Sequence, residues 1–451
     1  MNILIFIDHD IMLRHFIDSK VFLPLANKFN VKIVLPENTK RITKIVNKEI
    51  SGMEVLYIPI DKKRQYCWRT LFLVRKQRFK FDAQGRLLQK VYKIGLSLKI
   101  KLLYTFLAMP VVYSVFKLCS VVYLKYKSNK VFEKLLEDNH PDILLHPSVL
   151  AGLFIDDLIY YAKKQRIKSL VIMNSWDNPS TKQSVFGKPD WLFVWGEQTF
   201  KHAKRFMGIN SDRIKKFGAA QFDLFRKEAD ISRDEFCEIN NIDKNKRILL
   251  YAGSSKGSDE FEHLQFMDTL IETNYLQDVT IVYRPHPWGG GGKNGHRIID
   301  SKWKNIIIDV TMRDYLNNIK SDNKKMSYPD YSNTHNLLSS VDAVISPLST
   351  IILEAAMHGK PVMCFLPDDK DLNIHLELAK TLVHFDDMYN MEEILVAHGK
   401  SELKNKVKIL LEQSNSKSFS ERLKKRVEYF VEPYSTPYGE RLVEFIEAES
   451  I

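Results

Sequence analysis

Short apolar runs recur along this chain, and between them apolar residues return every third or fourth position. Residues 1–7 form such a run, 11–29 such a periodic stretch and 31–36 the next run, so the pattern predicts strand, helix, strand from the start. It returns at 142–146, 169–173 and 191–196, with helical stretches at 153–165 and 198–207. A second series of predicted strands follows at 248–252, 279–283, 306–310, 343–345 and 361–365, and residues 405–447 read as largely helical with a break at 433–437. Such alternation predicts an α/β protein built on parallel sheets, whose ligand edge lies at the carboxyl ends of the strands. Residues 319–333 are polar and read as a mobile insertion.

The first run is a strand rather than a leader, because Asp8, His9 and Asp10 end it early. These three fall at the ligand edge. Asp8 is the first choice for a base that takes the proton of an acceptor hydroxyl, His9 stands beside it, and Asp10 could simply cap the next helix. Residues 174–180 follow another predicted strand and offer a second carboxylate, Asp177, beside Trp176 for stacking on a sugar and Asn178 for hydrogen bonding. Their composition equally fits a turn. Arg14 and Lys182 could meet a phosphate or an acidic sugar, although a solvated charge explains them as well.

The stretch 344–365, V-I-S-P-L-S-T-I-I-L-E-A-A-M-H-G-K-P-V-M-C-F, orders the second half. A strand containing Ser346 leads to Ser349 and Thr350 as N-caps of a helix over 351–358, with Gly359 as its stop. A helix start after a buried strand favours an anion, and Glu354, one turn inside, is placed for a ribose or sugar hydroxyl or for an ion pair with Lys360. Two further loops follow predicted strands and are expected at the same edge: Gly253, Ser254 and Ser255, small enough for a phosphate to approach, and Arg284, Pro285, His286, Pro287 and Trp288, which supply positive charge and a donor. The run Gly289–Gly292 is either a loop that closes over a nucleotide or a plain surface loop.

With 451 residues, 45% of them hydrophobic and 27% charged, the chain has material for two cores. Cys67, Cys119, Cys237 and Cys364 lie far apart with no CxxC spacing, which indicates reduced cytoplasmic thiols and neither a zinc site nor a disulfide framework. The net charge of +12 points to a polyanionic partner. Its densest part, 62–130, carries Lys62, Lys63, Arg64, Arg69, Arg75, Lys76, Arg78, Lys80, Lys99 and Lys101 around an apolar run at 102–116 that Pro110 interrupts. That run is short of the roughly 20 residues a spanning helix needs. It suits a protein lying on an anionic leaflet, or an internal helical pair with a solvated basic side. A nucleic-acid binder would interleave aromatic with basic residues, whereas long apolar runs intervene here.

Y-R-P-H-P after a strand, followed by S-P-L-S-T-I-I-L-E-A-A-M-H-G-K-P, resembles the carboxyl-terminal domain of GT-B fold glycosyltransferases of bacterial surface-polysaccharide biosynthesis, in the sialyltransferase, Kdo-transferase and CDP-glycerol phosphotransferase group. F-V-W-G-E-Q-T-F, M-G-I-N-S-D-R-I and F-G-A-A-Q-F-D resemble the end of that group's first domain, so the likeness spans about residues 191–361. It implies two Rossmann-like domains facing across a cleft, with C-terminal helices packing back. The expected division is 1–246 for the acceptor, 247–430 for the nucleotide-sugar, and a helix at 431–451 returning to the first domain. His286, Ser349 and Thr350 would contact the nucleotide phosphate, and Glu354 the ribose or donor sugar. Neither cofactor nor metal is expected, because basic side chains and a helix start can neutralise the departing phosphate. The partners implied are a nucleotide-sugar donor (CMP-linked or another), a lipid-linked or surface-glycan acceptor and the inner face of the cytoplasmic membrane, with no nucleic acid. A CDP-glycerol-type phosphotransferase is the alternative activity, and a non-catalytic nucleic-acid binder the alternative class.

Overall fold

The structure, a computed structural model, describes residues 1–449 except 40–41, 43–48, 51, 80–96, 150–151, 183–184, 255–257, 288–289, 293, 320–329 and 369–381. The chain divides into two units, Met1–Asp223 with Tyr429–Ile451, and Leu224–Glu428. The division thus falls at Asp223 rather than at 246. The helix Arg233–Asn240, capped by Ser232, belongs to the second unit because Arg233 donates to Asp342 Oδ2 at 2.8 Å and to Lys246 O at 3.1 Å.

The first unit holds β1 (Asn2–Phe6), β2 (Asn30–Pro36), β3 (Glu49–Ile50), β4 (Met53–Ile58), β5 (Ile143–His146), β6 (Lys168–Ile172), β7 (Trp191–Val194) and β8 (Ile214–Lys216). They form one sheet in the order β3-β4-β2-β1-β5-β6-β7-β8, parallel except for the antiparallel β3–β4 pair. Ile3, Leu4, Ile5 and Phe6 are all buried, as a central strand covered on both faces requires. The periodic stretch 11–29 ends its first helical segment near Ser19, where Lys20 turns left-handed at φ 58°, and resumes as Leu23–Lys28 with Pro24 in the opening turn. The C-terminal helix Tyr438–Ala448 belongs to this unit: Tyr438, Leu442 and Ile446 join Phe16, Phe22 and Phe193 in its core.

The basic segment forms three described helices, Lys62–Arg78, Leu98–Leu107 and Pro110–Tyr126. Asp61 caps the first by accepting from the Lys63 and Arg64 N–H groups. Arg64 is buried and donates to both oxygens of Asp157, which also accepts from Trp68 Nε1 at 2.7 Å and Asn129 Nδ2 at 3.0 Å. Its remaining donors reach Leu124 O and Lys127 O, so one guanidinium holds the end of the third helix.

The second unit is a six-stranded parallel sheet of β9 (Arg247–Ala252), β10 (Val279–Arg284), β11 (Ile306–Ile308), β12 (Ala343–Ser346), β13 (Val362–Leu366) and β14 (Ile394–His398), in the order β11-β10-β9-β12-β13-β14. Its core gathers Tyr251, Phe261, Met267, Ile281, Phe365 and Leu410. Five of these strands follow the expected runs. Val310 opens a helix instead of extending β11, and the edge strand β14, only partly buried, was not expected. Counted from the first strand of each main series, both sheets run 3-2-1-4-5-6 through their centres, so the direction in which successive strands are added reverses between the parallel neighbours β1 and β5 and between β9 and β12. Ligands of open α/β sheets bind outside the carboxyl ends at such a reversal.

Candidate functional site

At the reversal of the first sheet, Asp8 follows β1 and His146 ends β5. Both are buried. Asp8 Oδ2 accepts from the Leu153 N–H and lies 3.5 Å from His146 Nε2. His146 Nδ1 faces Ser148 O at 2.8 Å, and since a carbonyl only accepts, this nitrogen carries the proton. Ser148 Oγ donates to Asn174 Oδ1 at 3.1 Å, so a polar chain crosses the ends of β1, β5 and β6. Gly152 makes room for it: a Cβ there would fall 2.5 Å from Asp8 Oδ2. His146, which the sequence reading passed over, ends an apolar run on the strand beside Asp8, and that was its available signal.

The other first-unit candidates fall differently from expectation. His9, half-buried, caps the following helix by accepting from the Ile11 N–H at 3.1 Å, and Asp10 lies in the first turn. Trp176 is 1% exposed and meets Phe430 edge-on at 5.8 Å, so its faces are occupied and it offers no platform for a sugar. Asp177 is 7% exposed and accepts from the side chain of Asn178, itself fully buried, at 3.0 Å. Arg14 is half-buried next to His15, whose pKa burial and then the Arg14 charge push down to about 3. The side chain of Lys182 lies outside the described residues.

The second sheet brings its three loops together, since β10, β9 and β12 are neighbours. Gly253 N donates to Arg284 O at 2.9 Å, joining the loops after β9 and β10. Beneath them lies Glu260, a fully buried carboxylate at the start of the helix Glu260–Glu272, which sequence reasoning missed. The Ser254 N–H donates to its Oε1 at 2.7 Å and Tyr283 OH to its Oε2 at 2.5 Å. Burial pushes this carboxyl up to about 6 even though those donors favour its charged form. Gly253 has to lack a side chain here, because a Cβ would come within 2.4 Å of Glu260 Oε2. Gly290, Gly291 and Gly292 are left-handed at φ 60°, 77° and 73°, and a Cβ on Gly292 would lie 2.2 Å from Ser258 O. Gly290–Gly292 therefore form a tight turn packed on the loop after β9. Ser255, Trp288 and Gly289 lie outside the described residues, as does most of the expected insertion at 319–333.

Arg284 is 5% exposed, and its guanidinium is engaged by Thr334 Oγ1 at 2.9 Å and Asp309 Oδ2 at 3.5 Å. It braces the loop base rather than standing open to a phosphate. Ser346 is buried, with its hydroxyl on Pro347 O. His286, Pro287, Ser349, Thr350 and Glu354 are half-buried at the same strand ends. Thr350 precedes the helix Ile351–Met357 in helical geometry and its hydroxyl does not cap, contrary to expectation. At the far end His358 Nδ1 meets Glu354 O at 2.7 Å and its Nε2 meets His335 Nδ1 at 2.8 Å, while burial pushes its pKa down to about 4. His335 also reaches Lys227 O at 3.0 Å, and Phe225 stacks on it. Lys360 donates to Ser339 O at 2.9 Å, and burial lowers its pKa. Among the described residues no group of three or more His, Cys, Asp or Glu is arranged to hold a metal ion.

No family model matches the chain, and no curated protein matches it by sequence. Solved structures do. A Listeria monocytogenes protein assigned as a UDP-N-acetylglucosamine 2-epimerase superposes with TM-score 0.55 at 12% identity, covering 100% of this chain and 96% of that one. S. aureus MnaA in complex with UDP gives 0.52 at 12% identity with the same coverage. The wall teichoic acid polymerase TagF gives 0.51 at 10% identity, covering 100% of this chain and 88% of its own. At such identities the likeness is one of fold: two Rossmann-like α/β domains of the GT-B type.

Proposed function

We propose that the chain is an enzyme acting on a nucleotide-activated sugar, and specifically a metal-independent glycosyltransferase that delivers the sugar to a lipid-linked or surface-glycan acceptor. The observation that carries this reading is the second sheet's reversal point. There His286, Ser349, Thr350 and Glu354 stand half-buried on a buried support of Glu260, Arg284 and Ser254. In this reading His286 and the two hydroxyls donate hydrogen bonds to the nucleotide phosphates and stabilise the charge that grows as the sugar leaves. Glu354 accepts from the ribose or the donor sugar. A proton must also leave the acceptor hydroxyl, and the carboxylates Asp8 and Asp177 with His9 are the first unit's candidates for receiving it. Because Asp8 and Asp177 are buried, either must be reached through a rearranged loop or a relay such as His146. The GT-B resemblance of residues 191–361 and the fold shared with the wall teichoic acid polymerase TagF support transfer.

A second reading, sugar-nucleotide epimerisation, draws support from the structural neighbour assigned as a UDP-N-acetylglucosamine 2-epimerase and from the UDP bound to S. aureus MnaA. A titration series with UDP, CMP and CDP, followed by incubation with UDP-N-acetylglucosamine alone, separates the two. A second sugar nucleotide formed without acceptor establishes the epimerase. Nucleotide release that requires an added glycan or lipid-linked acceptor establishes the transferase, and a transfer that needs CDP-glycerol gives the phosphotransferase. Failure of every nucleotide to bind would overturn both readings.

A further inference from the structure

Residues 62–127 contain sixteen Lys and Arg and a single acidic residue, Asp82, so the chain outside this segment is slightly acidic despite the overall charge of +12. The helix Pro110–Tyr126 buries one face only: Tyr113 joins Val74, and Leu124 joins Trp68 and Leu71, all on the helix Lys62–Arg78. On the opposite face, at spacings of four, three and four, stand Val111, Val115, Leu118 and Val122, each more than half exposed, Val111 at 76%. Leu98, Leu102 and Phe106 repeat the pattern on the preceding helix at spacings of four, with Leu98 71% exposed. Scattered apolar residues on a surface need no explanation, but two aligned stripes on consecutive helices do. Exposed Lys99, Lys117 and Lys125 accompany them.

From this we infer that the exposed faces of the Leu98–Leu107 and Pro110–Tyr126 helices dock on an anionic lipid bilayer, lying in its interface. Several features choose this occupant. Lysines beside apolar side chains, with no acidic residue in 98–127, match a negative headgroup layer above hydrocarbon, whereas a self-complementary protein face would set these like charges against each other. Length argues against crossing. No single described helix is long and apolar enough, the two helices meet at a 94° bend, and the longer one, with 17 residues, spans about 25 Å against about 30 Å of hydrocarbon. The pair is also firmly mounted, because Arg64 ties its far end to Asp157. Docking goes beyond the sugar-nucleotide reading and stands whichever reaction the second sheet performs.

The test is co-sedimentation of the full chain with vesicles of phosphatidylglycerol and phosphatidylcholine, beside vesicles of phosphatidylcholine alone. Strong binding to the anionic vesicles and weak binding to the neutral ones is expected. Phe106→Ser combined with Leu118→Ser weakens binding about a hundredfold. Lys99→Gln with Lys117→Gln weakens it at low salt and leaves it like the wild type at high salt. An environment-sensitive dye on the exposed Cys119 of a Cys67→Ser chain shifts to the blue on anionic vesicles, a readout independent of whether the serine variant folds. Absence of sedimentation, equal binding of the folded serine variant, or an unshifted dye would each overturn the inference. So would a dimer in solution that the serine substitutions dissolve while lipid binds nothing.

Discussion

The two sheets reverse at equivalent places, yet the polar residues gathered there are set in opposite ways. At the ends of β1 and β5, Asp8 and His146 point into the protein, and their hydrogen bonds go to Leu153 and Ser148. At the ends of β9, β10 and β12 an inner layer of Glu260, Arg284 and Ser254 carries an outer layer of His286, Ser349, Thr350 and Glu354 that is only half-buried. A buried polar group with partners holds backbone in place, and one left partly in solvent keeps donors for a ligand. The first arrangement is a brace. The second combines a brace with side chains that stay partly in solvent, and the comparison is open to direct attack.

The largest effect is expected in the outer layer. His286→Ala and Ser349→Ala should each lower kcat/KM for sugar-nucleotide turnover about a hundredfold while the melting temperature holds. Steady-state kinetics beside thermal melting checks this, and a joint fall of both would move these residues into the supporting layer. Asp8→Ala should instead destabilise the first unit by roughly 2 kcal/mol, because the Leu153 N–H loses a buried acceptor. Urea unfolding measures it. Unchanged stability with turnover abolished would make Asp8 a reacting group and erase the contrast.

Glu260→Gln tests the inner layer through pH. The folded carboxyl titrates near 6 and the unfolded one near 4.5, so the native state holds the proton more tightly. Its contribution is full below about 4.5 and is lost as pH rises through 6, amounting to about 2 kcal/mol by pH 7. The glutamine variant lacks this loss, so subtracting its stability curve from that of the wild type should give a step falling between pH 4.5 and 6. A flat difference would place Glu260 in contact with solvent. The smallest effect is Ser254→Ala, about 1 kcal/mol, because its hydroxyl bonds Ser258 Oγ at 2.9 Å while its backbone N–H still serves Glu260.

The positions of His286, Ser349 and Thr350 were legible in the sequence because they lie within a few residues of an apolar strand run, so position along the chain translated into position at the sheet edge, and Glu354 follows one helical turn on. The inner layer was less so. Glu260 belongs to an acidic helix start that reads as solvated, and the Ser254 N–H after β9 and the Tyr283 hydroxyl on β10 make it a buried acceptor. Arg284 looked like a phosphate ligand because Asp309 and Thr334, which engage it, come from distant segments. Trp176 failed for the same reason in the first unit: Phe430, far along the chain, covers it. His9 displaced Asp10 as a cap through a side-chain bond two residues long, a choice between adjacent polar residues that periodicity does not resolve.

Arg64 has a consequence in time. Its charge is desolvated between the ends of the Lys62–Arg78 and Pro110–Tyr126 helices, and a guanidinium in that position is costly without a carboxylate. The carboxylate is Asp157, which leaves the ribosome 93 residues later. Until then the basic segment has no means of closing around Arg64, so its helices await the far side of the sheet during synthesis. A nascent chain stalled before residue 157 should therefore display this segment open to protease, and one released just beyond it should not.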